Sequence, residues 1–224
     1  MTRPDPGPSL PGGEIDDTGP FGAWLEGVRS ALRGDSEADV PCGTCTACCR
    51  AGQFVHIGPD EADALARIPG ELLFPAPGLP PGHVLLGYDE QGRCPMLAED
   101  GCSIYADRPR TCRSYDCRVL VAAGPRASRD APAPVAERIR RWRFDVTDDE
   151  DRVRFAAVRS AAEFLASADA PDDVAVPTTG LGLALMALAV HEAFLQAGPD
   201  MRLVPRTPAA HQVWQLARLT RRPG

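Results

Sequence analysis

The sequence has no lysine. All 24 basic residues are arginine, as GC-rich codon usage gives, so the abundance of arginine carries no chemical message by itself. The 31 acidic residues outweigh them and leave a formal net charge of −7, which argues against binding nucleic acid through the overall field. No run of about 20 apolar residues exists, so no membrane-spanning helix is expected. The opening residues, Met-Thr-Arg-Pro-Asp-Pro-Gly-Pro, lack the apolar stretch of a secretory signal, and the expected location is the cytoplasm. There is no glycine-rich phosphate loop and no Gly-x-Ser-x-Gly elbow. His191-Glu192 is not followed by a second histidine four residues after His191, so it is not a zincin motif; it reads as a polar notch in a buried helix. Cysteine is absent from residues 1–41 and 118–224.

All eight cysteines lie between Cys42 and Cys117. Four form a hook, Cys42-Gly-Thr-Cys45-Thr-Ala-Cys48-Cys49. Four more, Cys94, Cys102, Cys112 and Cys117, form a spread arm that must fold back onto it. Hydrophobic residues make up 44% of the chain, enough to bury a core without covalent staples. With no secretory signal, that sets a disulfide framework aside in favour of metal binding.

C-x2-C lets the chain turn so that two sulfurs face one ion while backbone N–H groups point at the thiolates. Eight soft donors suit tetrahedral zinc or an iron–sulfur cluster and exclude Mg2+ or Ca2+. Zinc is favoured, because eight thiolates close two tetrahedral sites without help. The alternative is iron–sulfur: Cys42-x2-Cys45-x2-Cys48 has the spacing of a ferredoxin run, with Cys94-Pro95 as a remote fourth ligand. Neighbouring side chains in extended backbone point to opposite sides. Cys48 and Cys49 would then serve two metals, or Cys49 is a small buried apolar side chain. Arg50, Arg93, Arg108, Arg110, Arg113 and Arg118 sit beside cysteines and are candidate N–H donors to sulfur. His56 and His83 are read as non-ligands. The arginines at 138, 140, 141 and 143 precede an acidic run, Asp145 to Asp151, and read as a solvated, salt-bridged face rather than a nucleic-acid patch.

These residues carry a resemblance. The Cys-x2-Cys-x2-Cys-Cys hook, Cys94-Pro-Met-Leu, Gly101-Cys-Ser-Ile-Tyr105, Arg108-Pro109 and Cys112-Arg-Ser-Tyr-Asp-Cys117 together resemble the bacterial YkgJ-type cysteine-cluster family, described as zinc- or iron-chelating. The resemblance covers residues 42–118. It implies a metal-ligand role for Cys42, Cys45, Cys48, Cys49, Cys94, Cys102, Cys112 and Cys117. Some members are labelled iron–sulfur oxidoreductases, which implies a redox enzyme as the alternative to a non-catalytic metal module. No methyl-donor loop is present, so the activity of the distantly similar flagellin lysine methylases does not transfer.

The expected fold is α+β, mainly α, with an irregular cysteine-rich segment and short hairpins flanked by helices. Residues 1–17 are expected as a disordered arm, 18–41 as a helix ended by Gly34, 42–118 as the cysteine domain, and 133–224 as a helical region packed on it. Within the cysteine domain, Gln53–Ile57 reads as a strand and Ala62 to Ile68 as a helix. Val84–Leu86 and Arg93–Leu97 read as a hairpin about Asp89–Gly92, and Asp107 as the cap of a short helix past Cys112. Val135, Ile139 and Trp142 are read as one helical face. Later helices are expected around Val153–Ala168, Leu181–Leu195 and Val213–Ala217. The expected partner is a protein or a small molecule, neither nucleic acid nor membrane.

Overall fold

The structure, a computed structural model, describes residues 16–40 and 42–219. In chain order these form β1 (Asp16–Pro20), α1 (Phe21–Arg33), β2 (Val55–Ile57), α2 (Ala62–Arg67), β3 (Leu73–Pro75), β4 (Val84–Leu86), β5 (Leu97–Ala98), β6 (Gly101–Cys102) and α3 (Arg110–Ser114). They continue with α4 (Arg118–Ala123), α5 (Pro125–Ser128), α6 (Ala133–Ile139), β7 (Trp142–Asp145), α7 (Asp149–Ser167), α8 (Gly180–Val190), β8 (Leu195–Ala197), β9 (Leu203–Pro205) and α9 (Ala210–Leu219). Helix outweighs strand, so the chain is α+β and mainly α, as its periodicities predict. Among the described residues, no helix is long and apolar enough to cross a membrane.

The chain forms two compact units. The first holds residues 37–116 and 132–138; the second holds 16–36, 117–131 and 139 onward. The N-terminal helix and Cys117 thus belong with the C-terminal region, a division unlike the one expected from sequence. Most of the expected arm, residues 1–15, lies outside the described residues, whereas Asp16 and Asp17 open β1.

The first unit is built on a small antiparallel sheet in the order β2-β4-β3. Its core is Ile57, Leu86, Ala64, Ile68 and Ile104, with Val55, Val84, Met96, Cys94 and Cys102 packed against it. The expected hairpin between Val84–Leu86 and Arg93–Leu97 does not form. Its turn does: the Asp89 side chain accepts the N–H groups of Gln91 at 2.9 Å and Arg93 at 2.8 Å. Both edges of β4 are already taken, by Val55–Ile57 and by Leu73–Pro75, so no ladder is left for the second arm. That arm pairs beyond itself: β5 and β6 close a tight hairpin, Leu97 opposite Cys102, with Gly101 at φ 122 where other residues strain.

The second unit is a helical assembly around α7 and α8. Phe21, fully buried on α1, meets Phe144 and Phe155 edge-on at 5.1 and 5.0 Å. Gly34 ends α1 as expected, in left-handed backbone. α7 begins at Asp148, whose side chain caps Glu150 and Asp151 N–H, worth about 1 kcal/mol. Ala157, Ala161 and Ala162 of α7 and Ala184 and Ala187 of α8 are buried, small enough for helices to approach closely. The last turn before β8, His191–Phe194, is 3-10 rather than α. Trp142 is not on a helical face with Val135 and Ile139. α6 stops at Ile139, and Trp142 opens β7, which pairs in parallel with β1, Asp16 opposite Trp142.

Candidate metal centre

Seven cysteines lie in the first unit, and local backbone hydrogen bonds set where each one sits. At the start of the hook, Cys45 N–H donates to Cys42 C=O at 2.9 Å, and Gly43 N–H donates to the Tyr105 hydroxyl at 3.2 Å. Cys48 and Cys49 occupy a 3-10 turn, Cys48–Arg50, closed by Ala51 N–H to Cys48 C=O at 3.1 Å. The extended backbone expected there is therefore replaced. With three residues per turn, the two side chains diverge by about 120° instead of pointing to opposite faces.

The arm meets the hook through backbone. Cys94 N–H donates to Cys49 C=O at 2.7 Å, and Gly52 N–H to Gly92 C=O at 2.9 Å. Both glycines have positive φ and face each other closely: a Cβ on either would lie within 3.9 Å of the other's backbone. Cys112 rides on α3. The opening residue of that helix, Arg110, donates its N–H to Glu61 Oε2 at 2.5 Å. Glu61 Oε1 accepts Gly58 N–H at 2.8 Å, so one buried carboxylate ties the turn before α2 to the start of α3. Asp107, expected to cap this helix, ends a separate 3-10 turn, Tyr105–Asp107, and pairs with Arg67.

All eight cysteines are half-buried and none is in a disulfide. Burial pushes Cys49 up to about 12, with Cys94, Cys102, Cys42 and Cys45 adding to the shift. Cys112 is likewise pushed to about 12, by burial first and then by Cys94, Cys49, Cys102 and Cys42. Burial also raises Cys42 and Cys94; Met96 N–H, bonded to Cys94, opposes it there. Thiolates in this cluster therefore repel one another. A soft dication reverses that sign, because a coordinating thiol is deprotonated outright. Among the described residues, no three His, Cys, Asp or Glu side chains are grouped so as to hold one ion. The thiols therefore do not form a closed shell; in donor type and burial they suit a soft cation.

The candidate sulfur donors sort differently from the sequence reading. Arg93 pairs with Asp89 and Arg110 with Asp60. Arg108, itself 7% exposed, stacks on Tyr105 at 4.0 Å. It bonds Asp39, Val40 C=O and Tyr105 C=O, which anchors the strand of chain leading into Cys42. His56 and His83 bond each other at 2.9 Å. In the second unit, Trp142 donates its indole N–H to Cys117 Sγ at 3.3 Å, and Arg118 lies 5.9 Å over the same ring. Trp142 and Glu61 are the residues sequence reading missed. A lone tryptophan or glutamate carries no signal until the fold brings it to its partner.

Residues 41–130 match a family model, CxxCxxCC, described as "Putative zinc- or iron-chelating domain". The match makes this segment similar to that family. The matched segment runs from the hook past Cys117, so it takes in all eight cysteines, in agreement with the resemblance read from the motifs. The match supports metal binding by this segment and does not separate zinc from iron. No curated protein and no solved structure matches the chain.

Proposed function

We propose that the CxxCxxCC-like segment is a zinc centre with a structural or metal-handling role. One observation carries this reading. Cys42, Cys45, Cys94 and Cys102, from separate stretches of the first unit, lie close enough to Cys49, and all but Cys45 close enough to Cys112, to raise the pKa of both thiols. Four thiolates close one tetrahedral zinc site, and the seven of the first unit, Cys48 included, exceed that number. Zinc supplies no redox chemistry; it would bind these segments together and stabilise the unit. The chain's own residues already bring them near each other: Glu61 fixes the start of α3 under Cys112, Arg108 fixes the approach to Cys42, and Cys49 C=O holds Cys94.

The second reading is an iron–sulfur protein with a redox activity. The Cys42-x2-Cys45-x2-Cys48 spacing favours it, and the family description admits iron. Anaerobic purification from cells supplied with both metals, followed by elemental analysis and a visible spectrum, separates the two. A colourless protein with one or two zinc ions per chain is expected. A brown protein containing iron and acid-labile sulfide would sink the zinc reading.

A further inference from the structure

The first unit buries a cation beside the hook. Arg108 is almost wholly enclosed, and its guanidinium lies 4.0 Å over the Tyr105 ring. Nη1 donates to Tyr105 C=O at 2.8 Å, and Nη2 donates to Asp39 at 2.5 Å and to Val40 C=O at 3.2 Å. The same Val40 carbonyl accepts Cys42 N–H at 2.9 Å, and the Tyr105 hydroxyl accepts Gly43 N–H at 3.2 Å. Arg108 and the ring beneath it therefore hold the chain at Val40 and at Gly43, on either side of Cys42.

Anchoring alone does not call for a charge. The carbonyls of Val40 and Tyr105 need donors, which a neutral amide supplies. The guanidinium also exceeds its partners. Its Nε is buried with no acceptor among the described residues, and Asp39, the carboxylate it pairs with, is 66% exposed and so largely hydrated. A buried charge is costly unless opposite charge lies close to it. The hook supplies that charge once it holds an ion: four thiolates around a dication leave a net charge of about −2. The two already interact. Burial raises the Cys42 thiol, Cys45, Asp116 and Asp39 add to the rise, and Arg108 opposes it.

We propose that Arg108 is the counter-cation of the metal-loaded hook: its buried guanidinium, fixed beside Cys42, offsets the negative charge that the thiolates keep around an ion. It is a positioning residue and not a ligand. The proposal rests on the metal-binding reading above and holds for zinc or iron alike. The test uses the full chain and two readouts: zinc affinity by competition with a chromophoric chelator, and the thiolate-to-cobalt charge-transfer band after cobalt loading. Arg108→Gln removes the charge. It is expected to weaken zinc about tenfold and to move the band to longer wavelength, because the sulfur electrons lose a stabilising charge. Arg108→Lys keeps the charge without the planar fork and should bind zinc within about threefold of wild type. Asp39→Asn loosens the same contacts while removing a negative charge, so zinc should bind as tightly as in wild type or more tightly. Mere anchoring predicts weaker binding in all three variants. Weakened binding in Asp39→Asn therefore overturns the proposal, and so does a tenfold loss in Arg108→Lys; these two variants decide the matter even if Arg108→Gln does not fold. Wild-type affinity or an unmoved band in Arg108→Gln overturns it as well. A wild-type chain that takes up neither zinc nor cobalt sinks the metal-binding reading and this proposal with it.

Discussion

Glu61 offers the sharpest test of how the cysteine unit is held. The side chain is 8% exposed and accepts two backbone N–H groups, from Gly58 at 2.8 Å and from Arg110 at 2.5 Å. Hydrogen bonds to a charged group contribute about 1.5–3 kcal/mol each. The Gly58 bond is buried and counts in full; the Arg110 bond is partly hydrated and counts for less. Glu61→Ala strands both donors and should cost about 2–4 kcal/mol, a large share of the roughly 5–15 kcal/mol that a domain has. Glu61→Gln keeps one acceptor but sets an amide N–H2 against the other donor, so about half that loss is expected. Because Arg110 is two residues from Cys112, metal content should fall with stability. The assay is urea denaturation followed by the near-ultraviolet circular dichroism of tyrosine, with elemental analysis after gel filtration. Tyr88, Tyr105 and Tyr115 all lie in the first unit, whereas Trp24, Trp142 and Trp214 all lie in the second, so the two units report separately. A Glu61→Ala protein within about 0.5 kcal/mol of wild type, with full metal content, refutes the reasoning.

Three further outcomes are expected. A strong chelator under reducing conditions should remove on the order of 10 kcal/mol per structural site: the tyrosine bands collapse and the tryptophan bands persist, and unchanged tyrosine bands count against a structural ion. Gly180→Ala should destabilise the second unit by about 1–3 kcal/mol or more, because the added Cβ would meet Ala127 C=O, a backbone atom that cannot swing aside; thermal melting of the tryptophan signal measures it. His191, whose folded pKa is lowered by burial from 6.5, stabilises the second unit above that value and loses its contribution as the pH falls below it, since only the unfolded chain then takes the proton. The acid limb of the tryptophan stability curve should flatten in His191→Gln, and an identical limb in the variant refutes this assignment.

The regular elements were legible because their cause is local. Pro20 and Gly34 bracket α1, the apolar spacing from Val153 to Phe164 marks α7, and the continuous apolar run from Leu181 marks α8. The cysteine spacing announced a metal-binding segment. What stayed hidden depends on partners far along the chain. Asp16–Pro20 has no alternation and becomes a strand only beside β7, to which Thr18 Oγ1 donates at Arg143 C=O, 125 residues away. The Asp89 turn was readable, but not that β4 had spent both edges. Cys48 and Cys49 were adjacent letters; their 3-10 turn follows from the way Ala47 to Ala51 close on themselves.

The parallel pairing of β1 with β7 also fixes an order of events during synthesis. α1 leaves the ribosome with Phe21, Trp24 and Leu25 on one face, and Phe144 and Phe155, which cover Phe21, follow more than a hundred residues later. At about 5–20 residues per second, that aromatic face waits on the order of ten seconds while the whole cysteine-rich insertion is made. The nascent chain is thus at its most adhesive before its last helices exist, and a chaperone that shields α1 during that interval should raise the yield of folded protein.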